Sequence, residues 1–100
     1  MEKTAVVLQD NGSGQISLYS DEQKAGFMEI SVDLDQHLLT VYHTEVEEQY
    51  NGRGFGKLLL EALVQYSRNN QLRVRPLCPF VHAQFKRHEE KYQDIWYKEH

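Results

Sequence analysis

One hundred residues at 11.8 kDa leave room for one domain over residues 1–100 and hardly for two. Hydrophobic residues at 40% and charged residues at 26% exclude disordered and fibrous classes. A net charge of -4 speaks against a nucleic-acid partner, because such binding rests on neutralising phosphates. No apolar run approaches the ~18 residues that would span a bilayer, so no membrane partner is expected. The opening MEKTAVVLQD is too short in apolar residues for an export signal, and the expectation is a cytoplasmic protein. The single cysteine, Cys78, can form neither an internal disulfide nor a cysteine-based zinc site.

The first half reads as four antiparallel strands. Thr4 to Gln9 is a short apolar run ending at Asp10-Asn11-Gly12, whose Asn-Gly step is a strong hairpin signal. Gln15 to Ser20 alternates, with Ile16 and Leu18 opposite Ser17 and Tyr19. A turn at Ser20-Asp21-Glu22 precedes a strand over Lys24 to Asp33, and a break at Asp33 to Gln36 precedes one over His37 to Val46. Tight connections between successive strands make this a meander.

The period then changes. Phe55, Leu58, Leu59, Ala62, Leu63 and Tyr66 recur at helical spacing, with Lys57, Glu61, Gln65 and Arg68 on the other side. That helix starts near Gly54 and ends at Asn69 or Asn70. Leu72 to Cys78 reads as a strand closed by Pro76 and Pro79, Val81 to Glu89 as a weaker helix, and Tyr92 to Tyr97 as an aromatic tail that covers the core. The fold class is therefore α+β: an antiparallel meander, then a strand–helix–strand crossover of the right-handed kind, then a C-terminal helical segment.

The informative stretch is Asn51-Gly52-Arg53-Gly54-Phe55-Gly56-Lys57, between a strand and a helix. Glycine costs up to ~1 kcal/mol per helical position relative to alanine, so helix formation does not explain three of them. An anion at the helix start does, because the first turn carries free N–H donors and the positive end of the dipole. Arg53 and Lys57 add positive charge there. A Walker loop requires four residues between glycine and Gly-Lys followed by Ser or Thr; here three intervene and Leu58 follows. The dinucleotide fingerprint fails as well, since its third glycine is misplaced and no acid stands in Leu72 to Arg75.

The segment resembles the pyrophosphate loop of the GNAT superfamily of N-acetyltransferases, Gln/Arg-x-x-Gly-x-Gly/Ala, at Asn51, Gly54 and Gly56, with Asn51 replacing the leading Gln or Arg. His43-Thr44-Glu45-Val46 and Pro76-Leu77-Cys78-Pro79-Phe80 resemble its minimal, YjdJ-type branch, and the likeness runs from Ala25 to Tyr92. His88-Glu89-Glu90-Lys91-Tyr92 departs from that branch's His-Pro-Glu-Tyr step, so no role is carried over to it. The resemblance implies a compact GNAT-like fold in which the strand before the loop splays from a parallel neighbour, and it implies acetyl-CoA as donor. Backbone groups of Glu45 and Val46 would pair with the pantetheine arm. The N–H groups of Arg53, Gly54, Phe55, Gly56 and Lys57 would hold the pyrophosphate. Cys78 would then lie near the thioester.

Acetyl transfer requires a deprotonated amine and a proton for the leaving thiolate. Cys78 is one candidate, as nucleophile or as proton donor, with Arg75 or His43 as neighbours that favour a thiolate; its alternative role is a buried small hydrophobe. His43 is the candidate general base, since imidazole titrates near neutrality, and strict alternation puts it on one strand face with Val41 and Glu45. Glu45 is a second candidate base. His37, His82, His88 and His100 show no ligand spacing, so no metal is expected. The leading expectation is an N-acetyltransferase for a small amine or a protein amino group, monomeric or weakly dimeric. The alternative is a non-catalytic CoA or acyl-CoA sensor.

Overall fold

A computed structural model describes residues 1–98; His100 lies outside the described residues. Five strands run in spatial order: β1 Glu2–Leu8, β2 Ser13–Ser20, β3 Gln23–Asp33, β4 Leu38–Val46 and β5 Arg73–Pro76. The first four pair antiparallel and β5 pairs parallel to β4, as the meander and crossover predict. The helices are α1 Phe55–Asn69, α2 Pro79–Arg87 and α3 Glu89–Tyr92, with a 3-10 turn at Glu48–Tyr50 that carries no sequence signal.

The connections follow from their residues. At the first hairpin Asn11 Oδ1 accepts from the Ser13 N–H at 3.0 Å and from its hydroxyl at 2.7 Å. Gly12 stands at φ 90, and a Cβ there would lie 2.3 Å from the Val32 carbonyl oxygen, so only glycine fits. His37 adopts φ 52 in the third turn and is not the first residue of a strand. Helix α1 ends with Gln71 at φ 56, its N–H bonded to the Arg68 carbonyl and that of Leu72 to Ser67, the closing pair of a Schellman motif.

One sheet face carries Ile16, Leu18, Met28, Ile30, Leu39, Val41 and Val74, all fully or almost fully buried in one cluster with Leu59, Leu60, Leu63 and Val64 of α1. The sequence periodicity finds Phe55, Leu59 and Leu63 but misplaces the rest of the stripe by part of a turn: Leu58, Ala62 and Tyr66 are half-buried, while Leu60, Val64 and Ser67 are buried. The tail does cover the core. Phe85 stacks on Tyr92 at 4.7 Å, Trp96 meets Phe85 at 5.9 Å, and Val74 bridges to Trp96 in parallel, extending the sheet past β5.

Two expectations are corrected here. The last strand is Arg73–Pro76, not Leu72 to Cys78, because Pro76 ends the ladder and Pro79 begins a helix. Val41 does not share a face with His43. Register runs Ile30↔Val41 and Glu29↔His43, so Tyr42 is an extra residue, a β-bulge. The bulge turns Val41 into the core and leaves Tyr42 and His43 together on the other face, where the Tyr42 hydroxyl lies 2.8 Å from Ser31 Oγ.

Candidate functional site: a split sheet beside an uncapped helix

Strands β4 and β5 pair only from Leu38↔Arg73 to Val41↔Pro76. There the Val41 carbonyl accepts two N–H donors, from Leu77 at 3.1 Å and Cys78 at 2.9 Å, and the chain leaves the sheet into α2. Tyr42 to Val46 continues with β3 on one side and, among the described residues, no strand on the other. This is the splay expected before the glycine loop. The Glu47 N–H donates to Ala25 at 2.8 Å, and hydrogen-bonded pairs alternate in an antiparallel ladder. By that alternation the main-chain groups of His43 and Glu45 point to β3, and those of Thr44 and Val46 point into the split. Of Glu45 and Val46, the two residues whose main chains are expected to pair with the donor, only Val46 points into the split, together with Thr44.

The first turn of α1 lies at the mouth of the split. Its N-cap is Gly54 in the left-handed region at φ 75, with no side-chain cap and no acidic residue in the first turn. The first intrahelical bond runs from the Leu58 N–H to the Gly54 carbonyl at 3.2 Å, so the N–H groups of Phe55, Gly56 and Lys57 have no helical partner. A Cβ at Gly52 or Gly54 would meet nothing within 4 Å, and both positions are glycine for their positive φ. Gly56 has a different reason: a Cβ there would lie 3.3 Å from the Phe80 ring, which ties α1 to the start of α2. An uncapped 15-residue helix, open space before it and a basic Lys57 fit a diphosphate.

Arg53 packs against two rings. Its guanidinium stands 5.5 Å from the Tyr50 centroid and 5.2 Å from that of Phe55, which stack on each other at 5.3 Å. Tyr50, absent from the sequence reading, also donates to Gln23 Oε1 at 3.3 Å and so fastens the loop to β3.

The expected catalytic pair is not brought together. Cys78 is buried at the N-cap of α2, and its Sγ lies 3.2 Å from the Thr44 hydroxyl across the split. His43 points to the opposite sheet face, exposed, with Nε2 3.5 Å from Glu45 Oε1 and its ring 6.1 Å from Phe27. Neither thiol nor imidazole therefore activates the other; each flanks the split from its own side. Thr44 was missed because a hydroxyl on a strand carries no signal until its partner is known.

A model of the GCN5-related N-acetyl-transferase family matches residues 15–95. Among solved structures the chain is similar to the ribosomal-protein-S18-alanine N-acetyltransferase of Escherichia coli, at 22% identity and a TM-score of 0.61, covering 68% of this chain and 43% of that one. It is similar to a GCN5-like protein of Staphylococcus aureus at 24% identity and 0.64, covering 96% and 90%. It is similar to a ribosomal-protein-alanine N-acetyltransferase of Brucella melitensis at 14% identity and 0.66, covering 99% and 93%. The chain thus spans less than half the length of the first and about nine-tenths of the other two. No curated protein matches it by sequence.

Proposed function

The chain belongs to the GCN5-related N-acetyltransferase family, whose members use acetyl-CoA as donor, and on that premise we propose that it transfers the acetyl group to an amine held at the β4/β5 split. Acetyl-CoA supplies the activated acyl carbon as a thioester. The N–H groups of Phe55, Gly56 and Lys57 bind its diphosphate, with the Lys57 ammonium adding charge. The main-chain groups of Thr44 and Val46 take its amide-bearing arm as a strand would.

His43 accepts the proton the amine gives up as the C–N bond forms, and Glu45 steadies the resulting imidazolium. Cys78 gives its thiol proton to the departing sulfur as the C–S bond breaks. Thr44, 3.2 Å away, turns its hydroxyl hydrogen toward the thiolate left behind. Solvent restores the Cys78 proton and removes the one on His43. Cys78 acts here as an acid and not as an acyl carrier.

The observation that carries this reading is the coincidence of a strand edge left unpaired and an uncapped helix start at its mouth. The sensor alternative explains the first two features but assigns nothing to the Thr44–Cys78 contact. Calorimetric titration with CoA tests the loop. Gly54→Val, which forces a β-branched side chain to φ 75, is expected to weaken binding at least tenfold while the far-ultraviolet spectrum is kept. Unchanged affinity sinks the assignment. Mass spectrometry after acetyl-CoA incubation is expected to show no acetyl adduct on Cys78; a stable adduct overturns the acid role.

A further inference from the structure

Strand β1 closes one side of the sheet, and among the described residues nothing pairs with its outer edge. The Met1 carbonyl accepts from the Asp21 N–H and the Gln9 N–H donates to Ser13, with unbroken register between them. Odd-numbered residues of β1 therefore turn their main chain to β2, and Glu2, Thr4, Val6 and Leu8 turn theirs outward.

Sheet edges are ordinarily blunted by proline, a bulge, charge or a covering helix. β1 has no proline and no register shift, and its charged residues, Glu2 and Lys3, both stand at its start. Thr4 to Leu8 carries no charge at all. Helix α1 packs chiefly over β2, β3 and β4 and leaves the edge open. Val7 is 61% exposed and Leu8 37%.

The two ends of this strand complement each other. Beside its first half lies a cavity on each sheet face. One, of about 350 Å³, lies toward α1, with Thr4, Leu18, Leu58 and Ala62 in its wall together with Glu2 and Glu61. The other, of about 630 Å³, lies on the opposite face against Lys3, Ala5 and Tyr19. The second half of the strand presents apolar side chains to both faces, Val6 and Leu8 toward α1 and Val7 away from it.

We propose that β1 is the interface of a homodimer in which two copies pair antiparallel about a two-fold axis at Ala5. In that register Glu2 lies opposite the partner's Leu8, Lys3 opposite the partner's Val7 and Thr4 opposite the partner's Val6. The partner's Val6 and Leu8 then cap the cavity beside α1, and the partner's Val7 enters the one beside Tyr19. Every outward N–H and C=O from Glu2 to Leu8 gains a bond, and Ala5, the smallest side chain of the strand, meets its own copy at the closest spacing of an antiparallel pair. An axis anywhere else leaves part of the strand unpaired, and one at Lys3 sets like charges against each other. Each copy offers one such edge, so assembly closes at two. The β4/β5 split lies on the far side of the sheet, and the proposal stands apart from the acetyl-transfer reading.

Sedimentation over a range of concentrations tests the dimer, and hydrogen exchange tests where it forms. The mass is expected to rise to twice the 11.8 kDa of one chain. The Thr4, Val6 and Leu8 amides are expected to gain protection as it does, while those of Lys3, Ala5 and Val7, already bonded to β2, change far less. Val7→Lys places a second ammonium opposite the partner's Lys3 and is expected to raise the dimer Kd about tenfold. Adding Lys3→Glu to the same chain makes that pair attractive and is expected to bring Kd back to within about threefold of its starting value. Thr4→Pro removes an N–H that has no bond within one copy, and is expected to abolish the dimer while the monomer stays folded.

A chain that stays monomeric up to about 1 mM overturns the proposal and leaves the edge to an extended segment of another protein. Growth beyond two copies marks open-ended edge aggregation and overturns it as well. A dimer that ignores Val7→Lys, or that Lys3→Glu does not rescue, is held by another surface.

Discussion

The two halves of β4 are built for different purposes. Leu38 to Val41 is buried on both faces and paired on both edges, whereas Tyr42 to Val46 is mostly exposed and paired on one edge. The division falls at the bulge. Below it the main chain is paired with β3 on one edge and with β5 on the other. Above it the same strand leaves donors and acceptors facing outward, which a fold tolerates only where solvent or a ligand can meet them. One strand therefore joins a stabilising segment to the segment proposed to take the donor, without any flexible linker.

Hydrogen exchange gives the widest contrast between the halves. The amides of Thr44 and Val46 are expected to exchange almost as in a free chain, while Glu45 between them and the Leu38–Val41 stretch are protected, a difference of about 5 kcal/mol in opening energy for the deepest sites. Slow exchange at Thr44 and Val46 would erase the distinction.

Truncation comes next. Leu39→Ala, at a fully buried position, is expected to cost about 3 kcal/mol in denaturant unfolding. Thr44→Val, five residues along, keeps the shape and is expected to cost less than about 1 kcal/mol. Its effect belongs to turnover: kcat falls, CoA binding holds, and Thr44→Ser restores activity. A Thr44→Val enzyme with full kcat would return Cys78 to a packing role.

The smallest effect sharpens the comparison from outside it. Arg68 holds Asp94 by hydrogen bonds of 3.0 and 3.1 Å, which keeps the carboxyl below its ordinary range and raises the guanidinium. A depressed carboxyl contributes stability above its unfolded pKa and loses it as pH falls through the folded value. The loss therefore belongs below about pH 4 and not near neutrality. Both side chains are about half-exposed, so Asp94→Asn is expected to cost a few tenths of a kcal/mol and to flatten the acid limb of a stability-against-pH curve.

How far the sequence reaches depends on whether a signal is local. The Asn11-Gly12 hairpin, the helix from Phe55 and the glycine turn are written in neighbouring residues, and each forms where expected. The bulge at Tyr42 is not. No Gly or Pro marks it, and it arises because Val41 fits the core while Tyr42 cannot. That single extra residue defeated the alternation argument for His43 and Val41. The Thr44–Cys78 contact joins residues 34 apart, and the pairing of Arg53 with Tyr50 and Phe55 depends on a 3-10 turn without a pattern of its own. The glycine pattern implies that Gly56 makes room for an anion, yet its tightest neighbour is Phe80. A glycine reports that space is needed and not what fills it.

The doubly bonded Val41 oxygen has one more consequence. A carbonyl has two lone pairs, and here both are taken by consecutive amides, so the crotch of the fork is clasped twice at a single atom. Prying the arms apart from that point breaks the Cys78 bond and the Val41 half of a Leu77 N–H shared with the Arg75 carbonyl, and zipping them shut would require Cys78 to abandon the start of α2. The fork between the arms therefore opens at one fixed residue, Val41, and the two strands diverge from there.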